Sequence, residues 1–91
     1  MVNITEIAAK SILNIMAQRG LDDTIFALDL RVIRGACGVS FTKDIDGILK
    51  DFHGLRVNID PLVMKGDDLY VDFGEVDGKQ GIIFKGGLNA N

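Results

Sequence analysis

The sequence is poor in the residues that usually announce chemistry: one cysteine, one histidine, one proline and no tryptophan among 91. A single thiol cannot close a disulfide within the chain, which removes the usual support of small secreted domains. Basic residues number ten and are scattered, and the formal net charge is −3. A nucleic-acid partner normally leaves a basic stripe interleaved with aromatics, and no such stripe occurs. An anionic membrane surface is disfavoured for the same reason. No apolar run approaches the length of a membrane span. The N-terminal stretch MVNITEIAAKSILN has no basic segment followed by an apolar block, as a signal peptide would. The expectation is a cytoplasmic protein without nucleic-acid or membrane partners.

What is present is ordinary for a globular protein. With 47% hydrophobic and 25% charged residues, the chain reads as one domain spanning residues 1–91. ITEIAAKSILNIMAQRG predicts an amphipathic helix, with Thr5 as N-cap and Ile4 as a staple in front of it. Ala8, Ile12, Ile15 and Met16 form its apolar stripe, edged by Ala9 and Leu13. Glu6 in the first turn and Arg19 in the last match the helix dipole, and Gly20 is a natural stop.

Beyond Gly20 the hydrophobic period falls to two. Phe26, Leu28, Leu30 and Val32 alternate with Ala27, Asp29, Arg31 and Ile33, the pattern of a strand with one buried face. Alternation recurs through Val39 and Phe41, through Leu55, Val57 and Ile59, through Leu69, Val71 and Phe73, and through Ile82 and Phe84. DIDG, FHG and EVDGKQG separate these runs and are rich in turn formers. Pro61 opens a segment predicted as one helical turn, with Leu62 and Met64 directed inward. The fold class expected is α+β: an N-terminal helix and five or six short strands, the helix packed on a largely antiparallel or mixed sheet or sandwich.

Cys37, in IRGACGVSF, has two readings. It is a thiolate on a flexible, glycine-flanked loop, serving as ligand or nucleophile. Otherwise it is a small apolar side chain in a turn between two strands. Nucleophilic chemistry requires a histidine brought to it in space, and His53 is the one available. His53 itself reads either as a ligand or acid–base group or as a polar residue at a hairpin end. The acidic pairs Asp22–Asp23, Asp44–Asp46 and Asp67–Asp68 lack the further oxygens of a calcium loop and are expected on a solvated rim. GEVDGKQ falls short of a phosphate-binding loop and reads as a hairpin. No catalytic residue set emerges, so the expectation is a non-enzyme.

Several stretches carry a family likeness. ITEIAAKSILNIMAQRG is similar to an opening helix with an I-T-x-x-A-A start and a terminal glycine. LDLRVIRGACGVSF is similar to an L-R-V-x-V strand running into a glycine–cysteine loop and an aromatic. DGILKDFHGLRVNIDPLVMKGDDLYVDF follows as an acidic strand, a hairpin, a V-x-V-D strand, a short L-x-x-L-x-G segment and an L-D-F strand, and GIIFKGGLNAN resembles a closing G-F-x-F-x-N-P-N. Together these resemble the HesB-like family of A-type iron–sulfur cluster carriers and scaffolds.

The resemblance implies a ligand set that the sequence carries only in part. In the family, three cysteines bind iron or a [2Fe–2S] or [4Fe–4S] cluster, commonly shared between the chains of a dimer or tetramer. One follows the long strand and two form a C-G-C toward the C-terminus. The sequence reaches Asn91 without a C-G-C. Where the family loop reads G-C-S-G, the chain has Gly35-Ala36-Cys37-Gly38, so a gapless alignment places Ala36 at the cysteine and a one-residue shift restores Cys37. Carry-over as a metal or cluster ligand therefore reaches Cys37 alone. Such clusters need four ligands, and two copies of the chain supply two thiolates, so external thiols or a partner must complete the set. Two functions arise as expectations. One is an iron–sulfur assembly carrier or accessory protein that uses Cys37 at the interface of a homo-oligomer and meets assembly or recipient proteins. The other is a divergent module that has lost ligation and acts only in protein binding or oligomerisation.

Overall fold

The structure is a computed structural model, which describes residues 1–86; the closing GLNAN of the C-terminal likeness lies outside the described residues. The chain runs β1 (Val2–Ile4), α1 (Glu6–Gln18), β2 (Ala27–Ile33), β3 (Ala36–Thr42), β4 (Ile48–Phe52), β5 (Leu55–Ile59), α2 (Pro61–Lys65), β6 (Leu69–Val76) and β7 (Lys79–Gly86). This is the expected α+β class. The strands form two mixed sheets, however, of order β1-β6-β7 and β3-β2-β5-β4. In each sheet one pair is parallel, β1 with β6 and β2 with β5.

The helix ends follow local chemistry. Thr5 is the N-cap, its hydroxyl accepting from Ala8 N at 3.1 Å. The same hydroxyl donates to Asp72 at 2.9 Å, and Thr5 N donates to the Val71 carbonyl at 3.0 Å, so the cap also ties α1 to β6. At the other end Leu21 N reaches Met16 O and Gly20 N reaches Ala17 O, the paired bonds of a Schellman motif. Gly20 adopts φ 69°, which a side chain would oppose. Arg19 is the C-cap, one residue past the last helical turn where the sequence places it. Ala8, Ala9, Ile12 and Met16 are the buried face, while Ile15 is half-buried at its margin. Ile4, just before the N-cap, is also the last residue of β1 and is fully buried.

Three two-residue turns join the antiparallel pairs: Arg34–Gly35, His53–Gly54 and Asp77–Gly78. Both residues of each have positive φ, as a type I′ hairpin requires. β1 and β4 are strands that alternation does not reveal. β1 is three residues long, and β4 is an edge strand with four of its five residues exposed. α1 lies against β5 of one sheet and β6 of the other, and side chains of both sheets meet it in one core. In α2 it is Val63 that turns inward, whereas Leu62, expected inside, is exposed and Met64 is half-buried. The N-cap Asp60 and the proline after it fix the helix phase that produces this.

β2 departs from its one-faced pattern. Ala27 and Asp29, expected outside, are buried together with Leu28 and Leu30. β2 is an interior strand, and the segment before β4 is tied across its outer face. Asn58, fully buried on β5 opposite Asp29, donates to Asp29 at 2.8 Å and to Asp46 at 3.0 Å, and accepts from Gly47 N at 2.9 Å. Arg31 closes the circuit, with Nε on Asp29 and Nη2 on both Asp46 oxygens at 2.7 and 2.8 Å. A side chain at Gly47 would collide with the Ile59 carbonyl, so the approach of the segment requires glycine there. Asp46 thus stands on the solvated rim as expected and also belongs to a structural network.

The Arg31 guanidinium, and after it the Asn58 amide, hold the Asp46 carboxyl below the ordinary carboxylate range. Stability from a depressed carboxylate is complete above its unfolded pKa of about 3.9 and is lost as pH falls through its folded value. Urea midpoints measured from about pH 5 down to pH 2 are therefore expected to decline. In Asp46→Asn the decline should be shallower, though not abolished, because Asp22 and Asp72 are also held low by their hydrogen bonds. An unchanged slope in Asp46→Asn would show that the network contributes nothing to acid sensitivity.

Candidate functional site

Cys37 does not sit in a turn or on a loop. The turn is Arg34–Gly35, and Cys37 is the second residue of β3, paired with Val32 of β2. Alternation along β3 sends neighbouring side chains to opposite faces. Ala36 is exposed, while Cys37 is 9% exposed and belongs to the core. The position differs from both sequence readings, since Cys37 stands in a strand and not in a loop or turn, while its burial is that of the small apolar side chain in the second reading. Neither flanking glycine makes the segment a loop. Gly35 supplies the positive φ of the turn, and Gly38 leaves room for the Ile33 side chain, whose Cδ1 lies 2.9 Å from where a Cβ would stand.

Asp60 shapes the surroundings of the thiol. It caps α2 by accepting from Leu62 N at 3.0 Å, and its own N–H donates to the Leu30 carbonyl at 2.9 Å. Its second carboxylate oxygen accepts from the backbone N–H of Val32, the residue paired with Cys37, at 3.3 Å. Burial, and after it the charge of Asp60, push the Cys37 thiol above its ordinary range. A nucleophile or metal ligand needs the thiolate, and such residues normally sit in electropositive, partly open surroundings. Cys37 has the opposite environment.

The other candidates are not brought to Cys37. His53 stands in the β4–β5 turn with φ 54° and is exposed, as its reading at a hairpin end required. Because β5 runs parallel to β2, that turn lies at the far end of the sheet. Continuing the register places Leu55 level with Phe26, whereas Cys37 is level with Val32, a separation of roughly 20 Å at 3.3 Å per residue. One chain cannot form a Cys–His pair from them. Asp22 accepts from Thr24 at its own turn, and Asp68 pairs with the N-terminal ammonium at 3.1 Å. Asp77–Gly78 forms the β6–β7 turn, so GEVDGKQ is a hairpin. Among the described residues no group of three or more His, Cys, Asp or Glu side chains converges as a metal site would require. No helix among them is long and apolar enough to cross a membrane.

No family model matches the sequence, and no curated protein matches it. Solved structures do match in shape. SufA of Escherichia coli, involved in biosynthesis of iron–sulfur clusters, superposes with a TM-score of 0.68 at 21% identity over 93% of this chain and 84% of that one. IscA, in a structure with the [2Fe–2S] cluster, does so with a TM-score of 0.60 at 17% identity over 94% of this chain and 85% of that one. At such identities the likeness establishes a shared α+β fold.

The orientation of Cys37 is open to a direct chemical check. In Ala36→Cys combined with Cys37→Ser, the thiol moves from the buried to the exposed face of the same strand. Iodoacetamide at pH 7.5 is expected to alkylate this variant about ten-fold faster than the wild type or more. Equal rates would contradict the inward placement of Cys37.

Proposed function

We propose that this chain is an A-type carrier-fold protein of iron–sulfur assembly that acts as a protein-binding and oligomerisation module and does not itself hold a cluster. The observation that carries this reading is the buried, carboxylate-flanked thiol of Cys37, with Ala36 on the exposed face beside it. The fold likeness to SufA and IscA supplies the setting. The donor set does not fit a cluster held by one chain. Residues 1–91 carry one thiol against a requirement of four ligands, and two copies of this stretch carry two.

Binding is supported by the edge of the four-stranded sheet. β3 is an outer strand, and an outer strand offers unpaired backbone groups to another chain. Near that edge Ile33, the last residue of β2, is exposed on the outer face of the sheet. A second copy of the chain is the proposed occupant, giving a homo-oligomer, with assembly or recipient proteins as further partners. No catalytic step is assigned to it.

One feature favours the carrier alternative. Cys37 lies two residues past a hairpin turn on an edge strand, where β-structure frays most readily. In that reading the hairpin opens, and the thiols of two copies meet iron or a labile cluster delivered as cargo, together with external thiols. Anaerobic reconstitution with ferrous iron, sulfide and glutathione separates the two readings. The module reading predicts equal bound iron, and no difference in visible absorption, for the wild type and Cys37→Ser. A charge-transfer spectrum lost in Cys37→Ser would assign Cys37 as a ligand and overturn it.

A further inference from the structure

A cavity of about 390 Å³ opens between α1 and two outer strands, β3 of one sheet and β7 of the other. Ile12 and Ile15 of α1, Leu28 of β2, Val39 and Phe41 of β3 and Ile82 of β7 line it. The polar members of its wall are Ser40 and Arg19. Its volume falls within the range of about 300–1,000 Å³ typical of small-molecule sites, which are mostly apolar with few oriented polar groups. Cys37 shares the inward face of β3 with Val39 but does not line the cavity, so a ligand held there would bind independently of any role for the thiol.

Arg19 gives the cavity a polarity. It is the C-cap of α1, and its guanidinium carbon lies 5.8 Å from the centroid of the Phe41 ring, which also forms part of the wall. Stacking on the ring face leaves the guanidinium N–H groups at the edge available as donors. Among the described residues no carboxylate forms an ion pair with Arg19. Among the described residues its guanidinium donates to no carbonyl of the C-terminal turn of α1. No acidic side chain lines the cavity. On a chain of net charge −3, an apolar recess with a single cation at its wall selects an apolar body with an anionic head.

We propose that this cavity binds a small amphipathic carboxylate, its hydrocarbon part among Ile12, Ile15, Val39 and Ile82 and its carboxylate on Arg19. Octanoate, with octanol as its uncharged counterpart, is the probe. Titration into the isotopically labelled protein, followed through isoleucine and valine methyl resonances, is expected to show saturable shifts confined to the cavity residues. Octanol should bind about ten-fold more weakly, the difference expected of one charge-assisted contact. Arg19→Gln should lower octanoate to the level of octanol while octanol binding persists, which also shows that the variant is folded. Arg19→Lys should retain most of the preference. Equal affinities in the wild type, or shifts centred away from the cavity, would overturn the proposal. So would shifts at the cavity that follow protein concentration without ligand, which would assign this face to a second copy of the chain.

Discussion

A buried hydrogen bond from the Asn58 amide to the Asp29 carboxylate lies at the middle of the four-stranded sheet, and much of the structure follows from it. The two residues face each other across the parallel β2–β5 pair, each on the side opposite the hydrophobic core. A slip of one residue would turn Leu28, Leu30, Val57 and Ile59 outward and force both polar groups inward. The pair therefore acts as a register pin. Its remaining polar atoms are satisfied by Arg31, Asp46 and Gly47, so the network is closed rather than half-paired. Removing one member of such a buried set typically costs about 3 kcal/mol or more, chiefly through the group left behind.

That register carries through to the environment of the thiol. With Asn58 opposite Asp29, β5 ends at Ile59 and places Asp60 beside Leu30 and Val32. From there Asp60 does three things: it caps α2, secures the end of β2 and sets a negative charge near Cys37. The Arg34–Gly35 turn then fixes the phase of β3, with Ala36 outward and Cys37 inward. Cys37 stands in a fold shared with SufA and IscA but without the exposed, electropositive surroundings that ligation favours. The same phase directs Val39 and Phe41 to the cavity beside α1, where chemistry of a different kind is available.

Much of this architecture is legible in the residues. The helix from Thr5 to Gly20, the alternating runs and the Asp77–Gly78 turn all carry strong local signals. The other two turns are harder to read, because Arg34 and His53 adopt positive φ where asparagine or aspartate is usual. β1 is hidden by its length and β4 by its exposure. The phase of α2 differs from expectation at Leu62, although Asp60 and Pro61 together mark the helix start. The division into two sheets is a tertiary outcome, set by the parallel pairing of β1 with β6, and no local pattern encodes it. At the candidate site the glycines around Cys37 suggest a loop, whereas one serves the turn and the other accommodates Ile33. Asp29 and Asn58 break the apolar run of interior strands, a signal that such residues are paired, but the partner of each lies 29 residues away.

The proposal that Cys37 is not a ligand rests on its being held as a neutral thiol on the buried face of β3, under the charge of the Asp60 carboxylate. The Cys37 Cβ chemical shift, followed against pH in the wild type and in Asp60→Asn, probes this at the atom concerned, and asparagine preserves the helix cap. The wild-type midpoint is expected above the usual thiol value of about 8.5, with a lower midpoint once the charge of Asp60 is removed. A Cys37 that is already a thiolate at neutral pH, or one unaffected by Asp60→Asn, would show that the sheet does not hold it neutral in this way.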